Sequence, residues 1–400
     1  MPPETAGQPT MTMLTSRRTA SLGATAFLVG SVLVQIGNYA YNVVMARALG
    51  PALFSDLAVI VTLLLVATLV ASTLQTTAAK IASESDAAPT QRWMQRRAAV
   101  IGVAASALLA LASGTLADFF NASSPWPFVI FGFGLPALFA QAVDRGFLLG
   151  ATRFGKLTLS YQIEMWVRLG GAVALVAAGL GINGAVAALS LSFLASWLVA
   201  RSRQRPPTAV GRRPVGTFAS GAALLAAGEV LVNHSDLLMV KHFTEPVIAG
   251  AYGAVAVIGR VPFFAAWSLA ALAFPYVAAG NCSARRWAVA SVAAIGALVT
   301  AATWLAPEMI VTRLFGDAYA MFASSLGPYT LATSLFAVAR TIAFLELAAG
   351  RVRGGALVLG AGVVQIGALW AYHGSIATVV TVQVIVMTIL LGAIMVWSRR

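Results

Sequence analysis

Apolar stretches of about twenty residues follow one another through almost the whole of this 400-residue chain, separated by short polar or Gly/Pro segments. Each is the length an α-helix needs to cross the roughly 30 Å hydrocarbon core of a bilayer. A helix satisfies its own backbone there, which open sheets and loops cannot do. The pattern predicts an all-α integral membrane protein with twelve spans. The first six lie at 22–48, 54–79, 98–118, 126–149, 157–180 and 182–200, the second six at 216–242, 247–278, 285–306, 322–349, 354–372 and 375–397. The shortest breaks fall at Gly181–Gly184 and His373–Ser375. Composition agrees, with 59% hydrophobic and only 10% charged residues where soluble domains carry roughly a quarter charged. A soluble enzyme on one anchor and a large extramembrane domain are both excluded.

Cations recur at every second connection: Arg17 and Arg18; Lys80, Arg92, Arg96 and Arg97; Arg153 and Lys156; Arg201 through Arg213; Arg285 and Arg286; Arg351 and Arg353; Arg399 and Arg400. The other connections hold only Arg47, Lys241 and Arg313. Cytoplasmic loops retain Lys and Arg, so both termini are expected in the cytoplasm. The net charge of +13 then reports topology and attraction to membrane lipids, and no nucleic-acid partner is expected. Residues 1–20 read as a disordered cytoplasmic segment. Arg17–Arg18 before an apolar stretch has the look of an export signal, but Gln35, Asn38 and Asn42 interrupt that stretch and predict a retained helix. The single Cys282 allows no internal disulfide and no thiolate metal cluster.

A basic linker, 201–215, divides an N-lobe of six spans (21–200) from a C-lobe of six (216–400). The segment Asn38–Pro51 aligns without a gap on Asn233–Pro246: polar residues, an apolar turn, a cation (Arg47, Lys241), then a helix-ending proline. An even number of spans per lobe gives both the same orientation. The lobes should therefore form a parallel pseudo-two-fold repeat about the membrane normal, with a site between them near the midplane.

Ionisable residues inside the spans are few, because each costs about 2.5–3.5 kcal/mol at the bilayer centre. Arg260, between Gly259 and Pro262, and Arg340 have no acid at helical spacing. Each needs an acid from another helix or an anionic substrate, whose phosphate the planar guanidinium fits. Arg168 lies four residues after Glu164, so that pair is either a lock between helices or part of a substrate site. Asp144 and Arg145 sit at a helix end, where snorkelling would account for them. Glu229, Asn233 and Asp236 share one helix face. They form a candidate ion-coupling site for Na⁺ or a proton, or pair with Arg260 or Arg340. Asn38, Tyr39, Tyr41 and Asn42 line the same cavity or pack between helices. Small residues in spans 3, 6, 9 and 11 predict close helix packing. His234 lacks a second ligand at metal spacing, so no metal is expected. No phosphate loop or catalytic triad is present in the sequence. ATP is not the direct fuel, and neither an enzyme nor a cofactor is expected.

Several segments resemble polysaccharide and lipid-linked oligosaccharide flippases of the multidrug/oligosaccharidyl-lipid/polysaccharide exporter superfamily. They are Met45–Pro51 (MARALGP), Arg145–Phe154 (RGFLLGATRF), Asn233–Lys241 (NHSDLLMVK), Gly250–Gly253, Arg260–Pro262, Phe274–Pro275 and Leu314–Tyr319 (LFGDAY), in family order. The resemblance implies a V-shaped bundle in the cytoplasmic (inner) membrane. It would move a polyprenyl-phosphate- or diphosphate-linked glycan to the outer leaflet by alternating access, beside glycosyltransferases or a polymerase as partners. It also implies cavity arginines on the phosphate, here Arg260 and Arg340 with Arg47 as a further candidate, and an ion site that Asp236 matches on span 7. Spans 11 and 12 offer Gln365, Thr378, Thr381 and Thr388 but no acid. Two other readings stand beside this one: a cation or drug exporter of the same fold, and a non-transporting scaffold of a glycan-synthesis complex.

Overall fold

The computed structural model describes residues 11–84, 88–201 and 216–398, so most of the linker lies outside the described residues, as do residues 1–10. All regular structure among the described residues is helical. Ten helical stretches are long and apolar enough to span a bilayer, but Gly30–Ala79 and Phe154–Ala200 run 50 and 47 residues. At about 1.5 Å per residue each is more than twice the thickness of the hydrocarbon core. Both turn back at glycines whose backbone other residues resist: Gly50 at φ +74°, and Gly179 and Gly181 at φ +87° and +51°. With those turns the twelve expected spans are all present.

They are α1 (11–49), α2 (51–84), α3 (Ala88–Phe119), α4 (Trp126–Gly150), α5 (154–180) and α6 (Gly181–Ala200). The second half holds α7 (Gly216–Phe243), α8 (246–278), α9 (Cys282–Leu305), α10 (Leu326–Ala348), α11 (Arg353–Ala371) and α12 (Ile376–Ser398). α8 is interrupted at Arg260 into arms Pro246–Gly259 and Val261–Ala278. A short helix, Pro307–Phe315, and a 3₁₀ stretch, Asp317–Ser325, join α9 to α10. Met11–Thr19, expected to be disordered, belong to α1.

Small residues set the helix spacing. A Cβ on Gly37 of α1 would meet the Met165 side chain of α5, and one on Gly146 of α4 would lie 2.3 Å from the Gln75 carbonyl of α2. Gln162 of α5 donates to the Gly30 carbonyl, while Tyr161 bonds Gln75. Both arms of the first hairpin therefore return to the same end of α5. The second half repeats these contacts: Gly228 of α7 against Leu359 of α11, and Gly296 of α9 against Ser334 of α10, as Gly102 of α3 lies against Pro136 of α4.

The two halves meet at the end that carries Gly50, here the Gly50 end. A Cβ on Gly250 would stand 1.9 Å from the Pro51 carbonyl oxygen, and Phe54 packs on Gly253. From Gly250 to Gly259 all residues but the half-buried Val257 are buried, whereas the second arm packs on α9 and α10 and is exposed at Phe264, Trp267 and Leu272. α2 behaves in the same way, buried around Phe54–Leu57 and exposed at Ser72, Thr73 and Thr76. Ser72 lies about five turns beyond Phe54 and so on the same face, which has lost its partner by that depth. The halves thus splay into a cleft that opens toward the end carrying Arg201 and Gly216, the linker end.

Replacing Gly250 by valine should hold the Gly50 end apart. Spin labels at the exposed Ala48 and Val247, in a Cys282→Ser background, should report a longer distance than in the parent protein.

Candidate functional site

Arg260 sits where α8 is interrupted, and the site around it is built by α7, α8, α10 and α12. Its Nη2 donates to both oxygens of Asp236, at 3.0 and 3.3 Å, and its Nε donates to the Tyr329 hydroxyl at 3.0 Å. Tyr329 and Tyr252 each donate to Asp236 Oδ2 at 2.8 Å, and Gln383 Nε2 donates to Tyr252 at 2.9 Å. Nη1 lies 3.4 Å from His234 Nδ1. Asp236 is 1% exposed. Of the two partners open to Arg260, an acid from another helix or an anionic substrate, the structure supplies the acid. Arg340 is placed likewise, its Nε 2.5 Å from Glu229 Oε1 and its guanidinium over the Phe344 ring. Its Nη1 has no hydrogen-bond acceptor among the described residues.

The three candidate ion-coupling residues are all engaged. Glu229 holds Arg340, Asp236 holds Arg260, and Asn233 donates to the Glu229 carbonyl at 3.0 Å. The space beside Asn233, Tyr329, Gln365 and Gln383 is about 10 Å³, room for roughly one water. A Na⁺ there would have to displace a guanidinium.

In the first half one carboxylate serves two arginines. Glu164 lies 2.7 Å from Arg145 Nη2 and 2.5 Å from Arg168 Nη2. Arg145 also bonds Ser160 and Ser196 and stacks over Tyr161, so it turns into the bundle and does not snorkel. Asp144 accepts from Gln91 and Gln95 instead. Arg168 Nη1 donates to Asn38 Oδ1 at 2.9 Å, while its Nε has no acceptor among the described residues. The Arg168 and Glu164 side chains remain 12% and 15% exposed. Tyr41 stands apart: it is buried and donates to the Ala185 carbonyl, so it packs α1 on α6.

Arg47 also lies elsewhere, at the Gly50 end, where Nε donates to the Leu314 carbonyl at 2.8 Å and Nη2 to that of Arg313. It ties the halves together, as does Lys241. The Lys241 ammonium is 2.6 Å from Asp56 and donates to Ser55, with the two side chains 0% and 4% exposed. Asp56 also accepts from Ser123 N and Oγ, and Tyr319 donates to the Ala46 carbonyl. His242 contacts the Phe119 carbonyl through Nδ1 and stacks between Phe119 and Trp370. These ties form a polar closure of one end of the cleft.

Sequence reasoning missed Asp56, Tyr252, Tyr329 and Gln383. Asp56 carried a usable signal: a carboxylate two residues inside span 2 that needs a cation at its own depth, which Lys241 of the repeated segment provides.

No protein-family profile matches the chain, and no curated protein matches it. Solved structures do. Over 92% of this chain and 94% of the other, it superposes on an inward-facing multidrug resistance MATE family transporter of the MOP superfamily, with a TM-score of 0.70 at 15% identity. A eukaryotic MATE transporter aligns over 96% of both chains at TM-score 0.58 and 17% identity. An outward-facing MATE transporter aligns over 95% and 94% at TM-score 0.56 and 12% identity. The protein is a multi-pass membrane protein with the MATE transporter fold.

Removing one member of a buried pair leaves an uncompensated charge, which costs about 3–5 kcal/mol. Arg260→Met should therefore lower thermal stability in detergent, and adding Asp236→Asn should restore most of the loss. A similar cycle is expected for Asp56→Asn and Lys241→Met.

Proposed function

We propose that this protein is an alternating-access transporter whose cargo is an anionic amphiphile, a glycan linked through phosphate or diphosphate to a polyprenyl lipid. The observation that carries the reading is the local charge of the first half, where two arginines meet one carboxylate. Among the described residues, the spanning carboxylates Asp56, Glu164, Glu229, Asp236 and Glu346 pair with cations, while Asp144 is held by the side-chain amides of Gln91 and Gln95. Guanidinium is in excess at Glu164, where Arg145 and Arg168 share one acid. Arg168 and Arg340, one in each half, each keep a donor without an acceptor, and a phosphate oxygen is the acceptor that suits both charge and geometry.

The cleft opens at the linker end, where the cations are concentrated. By the positive-inside rule that end is cytoplasmic, so the cargo enters from the cytoplasmic leaflet of the inner membrane and both termini lie in the cytoplasm. The superposition is better on the inward-facing transporter than on the outward-facing one, in keeping with this orientation. The headgroup would sit near Arg168 and Asn38, between the hydroxyls of α2 and the aromatic second arm of α8, with the lipid tail in the bilayer. Opening to the other side requires the Asp56–Lys241 closure to part. Glycosyltransferases or a polymerase would supply and consume such a cargo.

A second reading, export of cationic drugs, has one observation in its favour, the description of the structural neighbour as a multidrug resistance transporter. The two separate at Arg168. Charge-assisted hydrogen bonds contribute about 1.5–3 kcal/mol, so Arg168→Gln should slow lipid-linked glycan export roughly tenfold or more at unchanged membrane abundance. Export that survives this substitution, together with protection of cells from cationic drugs, would instead establish the drug exporter.

A further inference from the structure

Away from the cleft, α9 and α12 each pack along α10 and leave between them, at the linker end, a cavity of about 520 Å³ floored by Ile342. Its mouth carries Arg285 and Arg286, while Val289, Ala290, Ala293 and Met395 make its shaft apolar. From Arg286 to Ala293 the shaft descends about 10 Å along α9, from headgroup depth into hydrocarbon. The exposed Trp287 beside the mouth marks the same level, since tryptophan rings favour the interface.

The two arginines differ. Arg285 is committed to Glu346 at 2.6 Å, whereas Arg286 is exposed and pairs with no carboxylate among the described residues. One guanidinium is thus neutralised and the other free, at the top of an apolar shaft. That profile fits a molecule with a negative phosphate at one end and an acyl chain at the other. We propose that the groove is a binding site for an anionic phospholipid of the surrounding leaflet, its phosphate on Arg286 and one chain along Val289, Ala290 and Ala293. A net-negative headgroup is preferred over a zwitterionic one, which brings its own cation to the guanidinium. The site rests on this groove alone and stands whatever the cargo of the cleft.

The chain supplies its own probe, because Cys282 is its single cysteine, is exposed and lines the mouth. The full-length protein is placed in nanodiscs of phosphatidylcholine, or of phosphatidylcholine with phosphatidylglycerol, and reacted with an uncharged maleimide. Alkylation of Cys282 should be several-fold slower in the phosphatidylglycerol discs. Arg286→Gln should abolish that difference, as should Ala293→Phe, which fills the shaft from an exposed position. The acidity of an anionic surface acts equally on these variants, so it cannot account for their contrast with the parent. Native mass spectrometry should show phosphatidylglycerol retained through detergent washing by the parent and lost from Arg286→Gln. Equal alkylation rates in the two lipid mixtures overturn the site. So does slowing that persists in Arg286→Gln, or equal lipid retention by parent and variant.

Discussion

A charge in hydrocarbon must find an opposite charge or water, and this structure is organised by that demand. The buried pairs join one helix to another: Asp236 to Arg260 and Glu164 to Arg145 between consecutive helices, Glu229 to Arg340 between α7 and α10. An intact buried pair contributes little net stability, because desolvation nearly cancels the attraction, while a broken one is costly. Such pairs therefore select which helices meet and in what register more than they add to stability. Here the pairs formed within a half hold its spanning helices in fixed register. The pair between the halves, Asp56–Lys241, lies at one end of the cleft. That distribution suits two stiff bodies moving about a contact that can open.

The nature of the closure bears on the alternating access proposed for this protein. An apolar seal costs about 25 cal/mol for each Å² exposed on opening, with nothing returned. A charged pair behaves differently, since water entering the gap rehydrates both ions as they separate, and in water their mutual attraction is worth only about 1 kcal/mol. The closure combines both kinds of contact, with Gly250 on Pro51 and Phe54 on Gly253 beside Asp56, Lys241 and Arg47. The glycines allow close approach and the ions ease separation. Arg47 and Lys241 fall one position apart in the gapless alignment of the repeated segments, Arg47 opposite His242, so corresponding helix ends supply a tie from each half.

The fold was legible in the sequence because the bilayer imposes a length. Twelve apolar runs became twelve helices, and the two long helical stretches turned where glycine permits a positive φ. The presence of charge inside the spans was equally legible, but its partners were not. Helical spacing revealed Glu164 beside Arg168, a local pair. It could not reveal that Arg145 turns inward to the same acid or that Arg260 meets Asp236, since those distances depend on how α4, α5, α7 and α8 cross. The places of Tyr41 and Arg47 were not legible for the same reason: a polar residue on a membrane helix points to an interior, and the sequence does not say which one. Arg47 reached the other half, and Tyr41 reached α6.

The same pairing bears on what the cleft can hold. A cation needs a carboxylate free to receive it, yet Asp236 already accepts from Arg260, Tyr252 and Tyr329, and Glu164 from two arginines. Binding a cation there means expelling a guanidinium into a medium that charges both species for being unpaired. At Glu164 an anion would meet a smaller obstacle, because Arg168 shares that acid with Arg145 and keeps one donor without an acceptor among the described residues. The cost of arrival at Glu164 thus depends on the sign of the arriving charge, and the asymmetry there follows from two arginines sharing one acid.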